Sequence, residues 1–242
     1  MCVLAIWLGL DPRTPLVVAA NRDESYARPS APPAEIAPGI VAGQDLESGG
    51  TWLGINRQGL FVAVTNRKLP ARRPDSLSRG LLALETLRCR KLACVEGIVE
   101  RRVADHPVAG FNLLAIVEGQ GVCLHYDGTL RRAPFAAGVH VVSSDRDLDD
   151  PEMPEKRVLD AFAARHPGLP DEAALRTFLA SHEGDRPICK HGEGYGTVSS
   201  TILVDRGDGF RMLHADGAPC RSTFGEVAAA FRGSSGASSR IL

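Results

Sequence analysis

The sequence lacks an excess of charge of either sign. Its 28 Lys and Arg residues and 29 Asp and Glu residues give a formal net charge of -1 over 242 residues. Domains that bind nucleic acids usually carry a clear basic excess, so this balance argues against a nucleic-acid partner. Hydrophobic residues make up 44% and charged residues 24% of the chain. These ordinary values exclude collagen-like and wholly disordered proteins.

The sequence also lacks a long hydrophobic run. Its first apolar segment, residues 2–10, is far shorter than the roughly 18 residues that suggest a membrane span. No basic stretch precedes this segment and no cleavage site follows it, so it does not resemble a secretory signal. We therefore expect no membrane span and a cytoplasmic location.

Familiar metal-ligand spacings are absent as well. None of the six cysteines forms a CxxC pair, and the seven histidines show no HExxH or zinc-finger spacing. We therefore predict no metal site. We expect five of the cysteines to be small buried residues in a reducing compartment. These five are Cys89, Cys94, Cys123, Cys189 and Cys220.

Hydrophobic patterning predicts hairpins that alternate with pairs of helices. Strand-like runs predict hairpins at residues 1–21, 51–66, 111–128 and 197–217, and a short strand at 139–144. Apolar spacings of three and four predict two helices within 76–104 and two within 155–182. Residues 25–50 are rich in proline and glycine and predict a long loop. The pattern favours an α+β fold with two antiparallel sheets. It also favours one domain over residues 1–232 and a disordered tail at 233–242.

The first hairpin brings the N-terminus beside a polar motif, Asn21-Arg22-Asp23-Glu24. If the turn centres between Pro12 and Arg13, Cys2 faces Asp23. A change of one residue in the loop puts Cys2 opposite Arg22 instead. Both registers predict that Cys2 lies beside the motif.

Cys2 is a candidate nucleophile because removal of Met1 would make it the first residue. Its α-amine, with a reference pKa of about 7.7–8.0, could then act as base for its own thiol. The alternative is a small apolar residue at the start of a strand. Arg22 would favour the thiolate by charge, and Asp23 could position the amine. Asn66 ends an apolar strand and is a candidate oxyanion donor, with a turn-capping role as the alternative.

Several motifs in fixed order then carry a family resemblance. They are the N-terminal MC, LVVAANRDESYARP, GGTWLGINRQGLFVAVTN, GFNLLAI and YGT followed by ST and LVD, spread over residues 1 to about 205. The chain resembles the NRDE family, also known as the transport and Golgi organisation protein family. That family is similar to N-terminal-nucleophile hydrolases of the choloylglycine and penicillin V acylase type.

The resemblance implies a four-layer αββα sandwich and a cysteine amidohydrolase that cleaves linear amides. It implies Cys2 as nucleophile and base, and Asn66 as oxyanion donor. The division of roles among Asn21, Arg22 and Asp23 stays open. Two positions depart from the pattern: Ser143-Ser144 stands where the amidases have Asn, and Val198 where relatives have Arg.

The ligand is expected to be a small-molecule amide or a hydrophobic molecule, without a cofactor. The predicted substrate-binding residues are Asn21, Trp52 and Thr197, and a place in the core is the alternative for Trp52. A rival function on the same fold is a non-catalytic role in trafficking, with haem or lipid as the ligand. The oligomeric state is open.

Overall fold

The computed structural model describes residues 2–69, 76–207 and 209–227. Thirteen strands and four helices lie within these ranges. The strands are β1 (Cys2–Asp11), β2 (Thr14–Ser25), β3 (Ser30–Ala37), β4 (Ile40–Asp45), β5 (Leu53–Asn56), β6 (Phe61–Asn66), β7 (Phe111–Val117), β8 (Gln120–Tyr126), β9 (Leu130–Phe135), β10 (Gly138–Ser143), β11 (Tyr195–Asp205), β12 (Phe210–Asp216) and β13 (Gly225–Glu226). The helices are α1 (Arg79–Thr86), α2 (Leu92–Asp105), α3 (Pro154–Arg165) and α4 (Glu172–Leu179).

The strands form two antiparallel sheets. The first sheet has the order β10-β1-β2-β11-β12-β13, and the second has the order β3-β4-β5-β6-β7-β8-β9. β1 lies inside the first sheet between β10 and β2. Its central residues are buried whichever face they point to, which is why the sequence of β1 is apolar at nearly every position.

Three hydrophobic cores lie between the four layers of the molecule. The core between the sheets joins Leu4, Ile6 and Val18 to Phe61 and Leu114. A second core packs α1 and α2 against the outer face of the second sheet, and a third packs α3 and α4 against the outer face of the first. The predicted αββα sandwich is therefore confirmed, as are the two predicted pairs of helices.

The register of the first hairpin places Cys2 opposite Arg22. This is the second of the two predicted registers. In the second hairpin Leu53 pairs with Ala63. Leu53 and Ala63 consequently share the core between the sheets, and Trp52 lies just before the strand.

The predicted loop over residues 25–50 is wrong, because this segment contains β3 and β4. β3 is an edge strand of the second sheet, and proline is tolerated on an edge because no ladder hydrogen bond is lost there. Pro32 and Pro33 lie within β3. The prolines that suggested a loop therefore lie in an edge strand of the second sheet.

The cysteines differ from expectation in two ways. Cys89 and Cys94 form a disulfide with a Cα–Cα distance of 5.7 Å, although both were expected as thiols. Cys94 and Cys220 are exposed, whereas Cys123 and Cys189 are buried as predicted. Disulfides are rare in reducing compartments, so the cytoplasmic location stays a prediction.

None of the helices in the described ranges is long and apolar enough to cross a bilayer. The predicted tail at 233–242 lies outside the described residues, as does the end of the predicted domain from residue 228.

Thiol counting tests the cysteine assignment. Alkylation of the unfolded, unreduced protein should modify four cysteines, because four are free. Alkylation after reduction should modify all six. Intact-mass spectrometry reads both numbers, and modification of six cysteines without reductant would contradict the Cys89–Cys94 bond.

Candidate active site

Cys2 begins β1 at the edge of the core between the two sheets, where it is partly buried. Its backbone nitrogen donates to Ser144 Oγ at 3.0 Å. Its carbonyl oxygen accepts from the Ser144 backbone nitrogen at 3.2 Å. Ser144 follows β10, the strand that pairs with β1 on the side away from β2. Both backbone groups of Cys2 are therefore held by one residue.

The surroundings of the Cys2 thiol keep it protonated. Burial raises the pKa of the thiol above its usual value. A hydrogen bond from the Asp23 backbone N–H and the charge of the Arg22 guanidinium lower the pKa, but burial outweighs them. A nucleophilic thiolate at this position consequently needs a base that removes the proton.

Arg22 lies almost fully buried opposite Cys2, with 4% of its side chain exposed. It donates to Ser30 Oγ at 3.1 Å and to Asp45 Oδ2 at 3.0 Å. The guanidinium carbon lies 4.5 Å from the centre of the Trp52 ring. The ring also lies against Gly43, where a Cβ atom would come within 2.3 Å of it. Trp52 is thus held between Arg22 and the backbone of β4.

Asp45 shares its carboxylate between two arginines. Arg28 Nε donates to Oδ2 at 2.6 Å, and the Ser48 backbone nitrogen donates to Oδ1 at 2.9 Å. Burial opposes ionisation of Asp45, but these hydrogen bonds outweigh it and lower its pKa to about 2. The carboxylate therefore remains charged and fixes Arg22 in place.

Asp23 points to the opposite face of the sheet, toward the helices α3 and α4. Its side chain is fully buried, with Lys190 Nζ at 2.8 Å from Oδ2. Thr197 Oγ1 donates to Oδ1 at 2.7 Å and accepts from the Lys190 backbone nitrogen at 2.9 Å. Burial raises the pKa of Asp23, and Lys190 and Thr197 offset only part of the increase. Lys190 also lies 3.9 Å from the buried carboxylate of Glu155.

Asn66 ends β6 in the second sheet. Backbone hydrogen bonds of the consecutive residues Ser144 and Asp145 connect it to Cys2. The Asn66 carbonyl oxygen accepts from the Asp145 backbone nitrogen at 3.0 Å, next to the Ser144–Cys2 pair. A cavity of about 430 Å³ lies beside Asn66 and is also lined by Arg67, Lys68 and Tyr195. Its volume falls within the range of roughly 300–1,000 Å³ that is usual for small-molecule sites.

The buried side-chain amide of Asn112 connects the two sheets through hydrogen bonds. Asn112 Nδ2 donates to Thr65 Oγ1 at 2.9 Å and to the Ser143 carbonyl at 3.0 Å. His125 Nδ1 lies 2.7 Å from Asn112 Oδ1. Burial is the largest influence on His125 and lowers its pKa to about 4, so the imidazole is neutral and donates to the amide oxygen. This network fixes the distance between β6 and the end of β10.

Comparison with known proteins assigns the family. The sequence profile described as "Transport and Golgi organisation 2" matches residues 1–160. The chain belongs to the transport and Golgi organisation 2 family. The mouse Transport and Golgi organization 2 homolog is 36% identical over 48% of this chain and 45% of its own length. The bovine homolog is 28% identical over 86% of this chain and 90% of its own length.

Solved structures relate the fold of this family member to that of hydrolases. The Caenorhabditis elegans ortholog of N-acylethanolamine-hydrolyzing acid amidase superimposes with a TM-score of 0.56, at 10% identity, over 86% of this chain and 96% of its own. A variant of conjugated bile acid hydrolase from Clostridium perfringens superimposes with a TM-score of 0.55, at 8% identity, over 96% and 97%. At such identities the likeness is one of fold.

Apart from Asn66 at the end of β6, the residues predicted for the site in this transport and Golgi organisation 2 protein fall into two groups. Cys2 and Arg22 meet on the face between the sheets, with Trp52 against Arg22. Asp23 reaches Cys2 through its backbone, while its side chain and that of Thr197 lie on the helical face. Asn21 also faces the helices.

The hydrogen bonds of Asn21 tie the first sheet to the helical layer. Its Nδ2 donates to the carbonyls of Leu179 and Ile188, each at 2.9 Å. Its Oδ1 accepts from Ser200 Oγ. Its donors and its acceptor are thus all engaged by groups of the chain itself.

Two residues at the site were not predicted. Ser144 was noted only as a departure from the amidase pattern, yet it holds the nitrogen of Cys2. Lys190 lies in an irregular segment without a motif, 167 residues from its partner Asp23. Only the unusual density of polar residues at the end of β2 indicated that a buried countercharge was needed.

Substitution of Lys190 tests the buried pair. Lys190→Met leaves the Asp23 carboxylate buried without its cation, so we expect a loss of about 3–5 kcal/mol in unfolding free energy at pH 7. The pKa of Asp23 in the folded state would rise further above its unfolded value of about 3.9. Its stabilising contribution is therefore present below the unfolded pKa and lost as the pH rises through the folded pKa. Urea unfolding at pH 7 and pH 5 should show a smaller deficit at pH 5.

The double variant Asp23→Asn/Lys190→Met removes both charges and should recover most of the loss. Lys68→Met is the matched control, because the Lys68 side chain is 91% exposed and its removal should change stability by less than about 0.5 kcal/mol. If Lys190→Met lost the same unfolding free energy at pH 7 and at pH 5, this would contradict the assignment of the buried Asp23–Lys190 pair.

Proposed function

We propose that this protein is a cysteine amidohydrolase that cleaves linear amides, with Cys2 as its N-terminal nucleophile after removal of Met1. The observation that carries the proposal is the hydrogen bond from the Cys2 nitrogen to Ser144 Oγ at 3.0 Å. The atom that would become the α-amine is already oriented there, on the same residue as the thiol. The two solved structures of similar fold are named as hydrolases of N-acylethanolamines and of conjugated bile acids, which supports the same reaction class.

The reaction follows from the groups around Cys2. The neutral α-amine takes the proton of the thiol, and the thiolate attacks the carbonyl carbon of the amide. The amine then gives the proton to the leaving nitrogen, which departs and leaves a thioester on Cys2. Water, deprotonated by the same amine, attacks the thioester and releases the carboxylic acid and the free thiol.

The other residues support this chemistry from both faces of the sheet. Arg22, on the side of Cys2 and fixed by Asp45, favours the thiolate. The Asp23 backbone N–H donates to the sulfur. The carboxylate of Asp23, set by Lys190 and Thr197, acts as a positioning group, as does Asn21. We assign Asn66 as the oxyanion donor and the cavity beside it as the binding site for the acyl chain or the leaving group. Trp52 contributes by holding Arg22.

Replacement of Cys2 is the direct test. Cys2→Ala should fold normally and lose hydrolysis of fluorogenic linear N-acyl amides, because the nucleophile is gone. Cys123→Ala is the matched control, since Cys123 is also a free cysteine but is buried in β8 of the second sheet. It should retain activity. Equal turnover by wild-type protein and Cys2→Ala would rule out the mechanism.

The N-terminus gives a second, independent test. Intact-mass spectrometry of the purified protein should show loss of Met1, because the amine of Cys2 can act as base only when it is free. Retention of Met1 on all molecules would contradict the mechanism, whatever ligand the protein binds.

Ser144 should set the pH dependence of the reaction. A hydrogen-bond acceptor stabilises the charged ammonium more than the neutral amine and so raises the pKa of the amine. Activity needs the neutral amine and should fall as the pH drops below a value near the reference of about 7.7–8.0. Ser144→Ala should lower kcat and shift this acidic limb to lower pH. If kcat fell but the acidic limb of the pH profile did not move, the result would contradict a contact between Ser144 and the base.

A non-catalytic role in trafficking is the second candidate function, and the family name favours such a role. Its ligand would be haem or a lipid. Titration with haem separates the candidates: a Soret band that saturates at one haem per chain, together with inactivity toward amides, would favour the carrier. Both proposals include a cytoplasmic location and a single domain over residues 1–232.

A further inference from the structure

Two cysteines and two histidines converge on the helical side of the first sheet, away from Cys2. His182 follows α4, Cys189 and His191 lie in the segment that leads to β11, and Cys220 lies in the turn after β12. One ligand atom from each of the four residues can be chosen so that all lie within 4.8 Å of one another. Three separate segments thus meet in one cluster of soft and borderline donors.

The distances within the cluster match the edges of a tetrahedron. The sulfur atoms of Cys189 and Cys220 are 3.7 Å apart. His191 Nε2 lies 3.6 Å from Cys189 Sγ and 3.2 Å from Cys220 Sγ. Zinc bonds of about 2.3 Å to sulfur and about 2.0–2.1 Å to nitrogen, at tetrahedral angles, would give edges of about 3.8 Å between sulfurs and about 3.6 Å between sulfur and nitrogen.

The fourth corner is supplied by His182. Its ring centre lies 5.2 Å from that of His191, and its ligand atom belongs to the set of four that lie within 4.8 Å of one another. His182 and His191 are exposed and Cys189 is buried. A metal at this place would therefore be bound from within by a thiolate and be reached from solvent past the histidines.

We propose that His182, Cys189, His191 and Cys220 form a structural zinc site. Two thiolates and two imidazoles are a usual donor set of closed, four-coordinate zinc sites. Soft thiolates select against magnesium and calcium, which prefer oxygen ligands. The zinc proposal does not rest on the proposed hydrolase reaction, because none of the four ligands is assigned a part in that reaction.

The site would fix the segment that carries Lys190. Lys190 lies between the ligands Cys189 and His191, and its ammonium pairs with the buried Asp23. The Cys189 backbone nitrogen donates to the Ser181 carbonyl at 2.9 Å, and His191 pairs with Gly196. Zinc would cross-link this irregular segment to the end of α4 and to the turn after β12. It would thereby hold Lys190 beneath the end of β2.

Sequence spacing could not reveal the site. Cys189 and His191 are separated by one residue, and Cys220 follows 29 residues after His191. This pattern differs from the zinc-finger spacings that sequence reading depends on. Only the folding of β11 and β12 into one hairpin brings the last ligand to the other three.

Metal analysis of the full chain, purified without a histidine tag, is the first test. After dialysis against metal-free buffer, elemental mass spectrometry should find one zinc per chain. Replacement of the zinc by cobalt should produce the visible bands of tetrahedral cobalt together with a thiolate charge-transfer band. Absence of both zinc and the cobalt bands would overturn the proposal, as would copper or iron in place of zinc.

Variants locate the metal. Cys220→Ser and His191→Ala should each weaken zinc binding by about 100-fold or more, because even residues that only support a ligand cost roughly 10–100-fold. Cys123→Ala and His106→Ala are the matched controls, one a buried cysteine and the other an exposed histidine outside the cluster. Both controls should keep the zinc.

Retention of zinc by Cys220→Ser and His191→Ala, or loss of zinc from His106→Ala, would overturn the assignment. A disulfide between Cys189 and Cys220 would overturn it as well. In that case only two cysteines would be alkylated in the unfolded, unreduced protein. Circular dichroism of each variant checks that it folds, and the cobalt spectrum of the wild-type chain needs no variant.

Discussion

The buried ion pair between Asp23 and Lys190 constrains the rest of the site. The Asp23 side chain has no exposed surface, and a carboxylate in such a place is costly unless a cation and hydrogen bonds compensate for lost water. Lys190 and Thr197 supply both, and they fix the end of β2 against β11. Because β2 is fixed there, the Asp23 N–H meets the sulfur of Cys2 and Arg22 lies opposite it. The geometry around the thiol therefore depends on a contact on the other face of the sheet.

Alternation along β2 explains how four consecutive polar residues fit at the end of a buried strand. Successive side chains of a strand point to opposite faces. Arg22 enters the space between the sheets, where Asp45 neutralises it. Asn21 and Asp23 point to the helical side. There Asn21 donates to backbone carbonyls and Asp23 pairs with Lys190. One short motif thus connects three layers, and Arg22 and Asp23 each have a countercharge from another part of the chain.

Much of this could be predicted from the sequence, because local pattern carries it. Periodicity predicted the four helices, the chemistry of the turn after β1 brought Cys2 beside Arg22, and the motifs indicated the family. What failed depends on long-range packing. The prolines of β3 suggested a loop because an edge strand is defined only by its neighbours. Lys190, Ser144 and the cluster of His182 and Cys220 have no local signature, since their partners lie far away in sequence.

The raised pKa of the Cys2 thiol bears on which function the site can have. A thiol that burial keeps protonated reacts poorly by itself, so the residues around it amount to a catalyst only if a base is supplied. Among the groups next to the sulfur, Arg22 and the Asp23 N–H stabilise a thiolate, yet neither accepts a proton. The nitrogen of Cys2 can accept one only after Met1 is removed. A carrier of haem or lipid would need no free amine at this position, and the hydrogen bond that orients this nitrogen toward Ser144 would then have no part in its function. The state of the N-terminus therefore separates a hydrolase from a binding protein of the same fold.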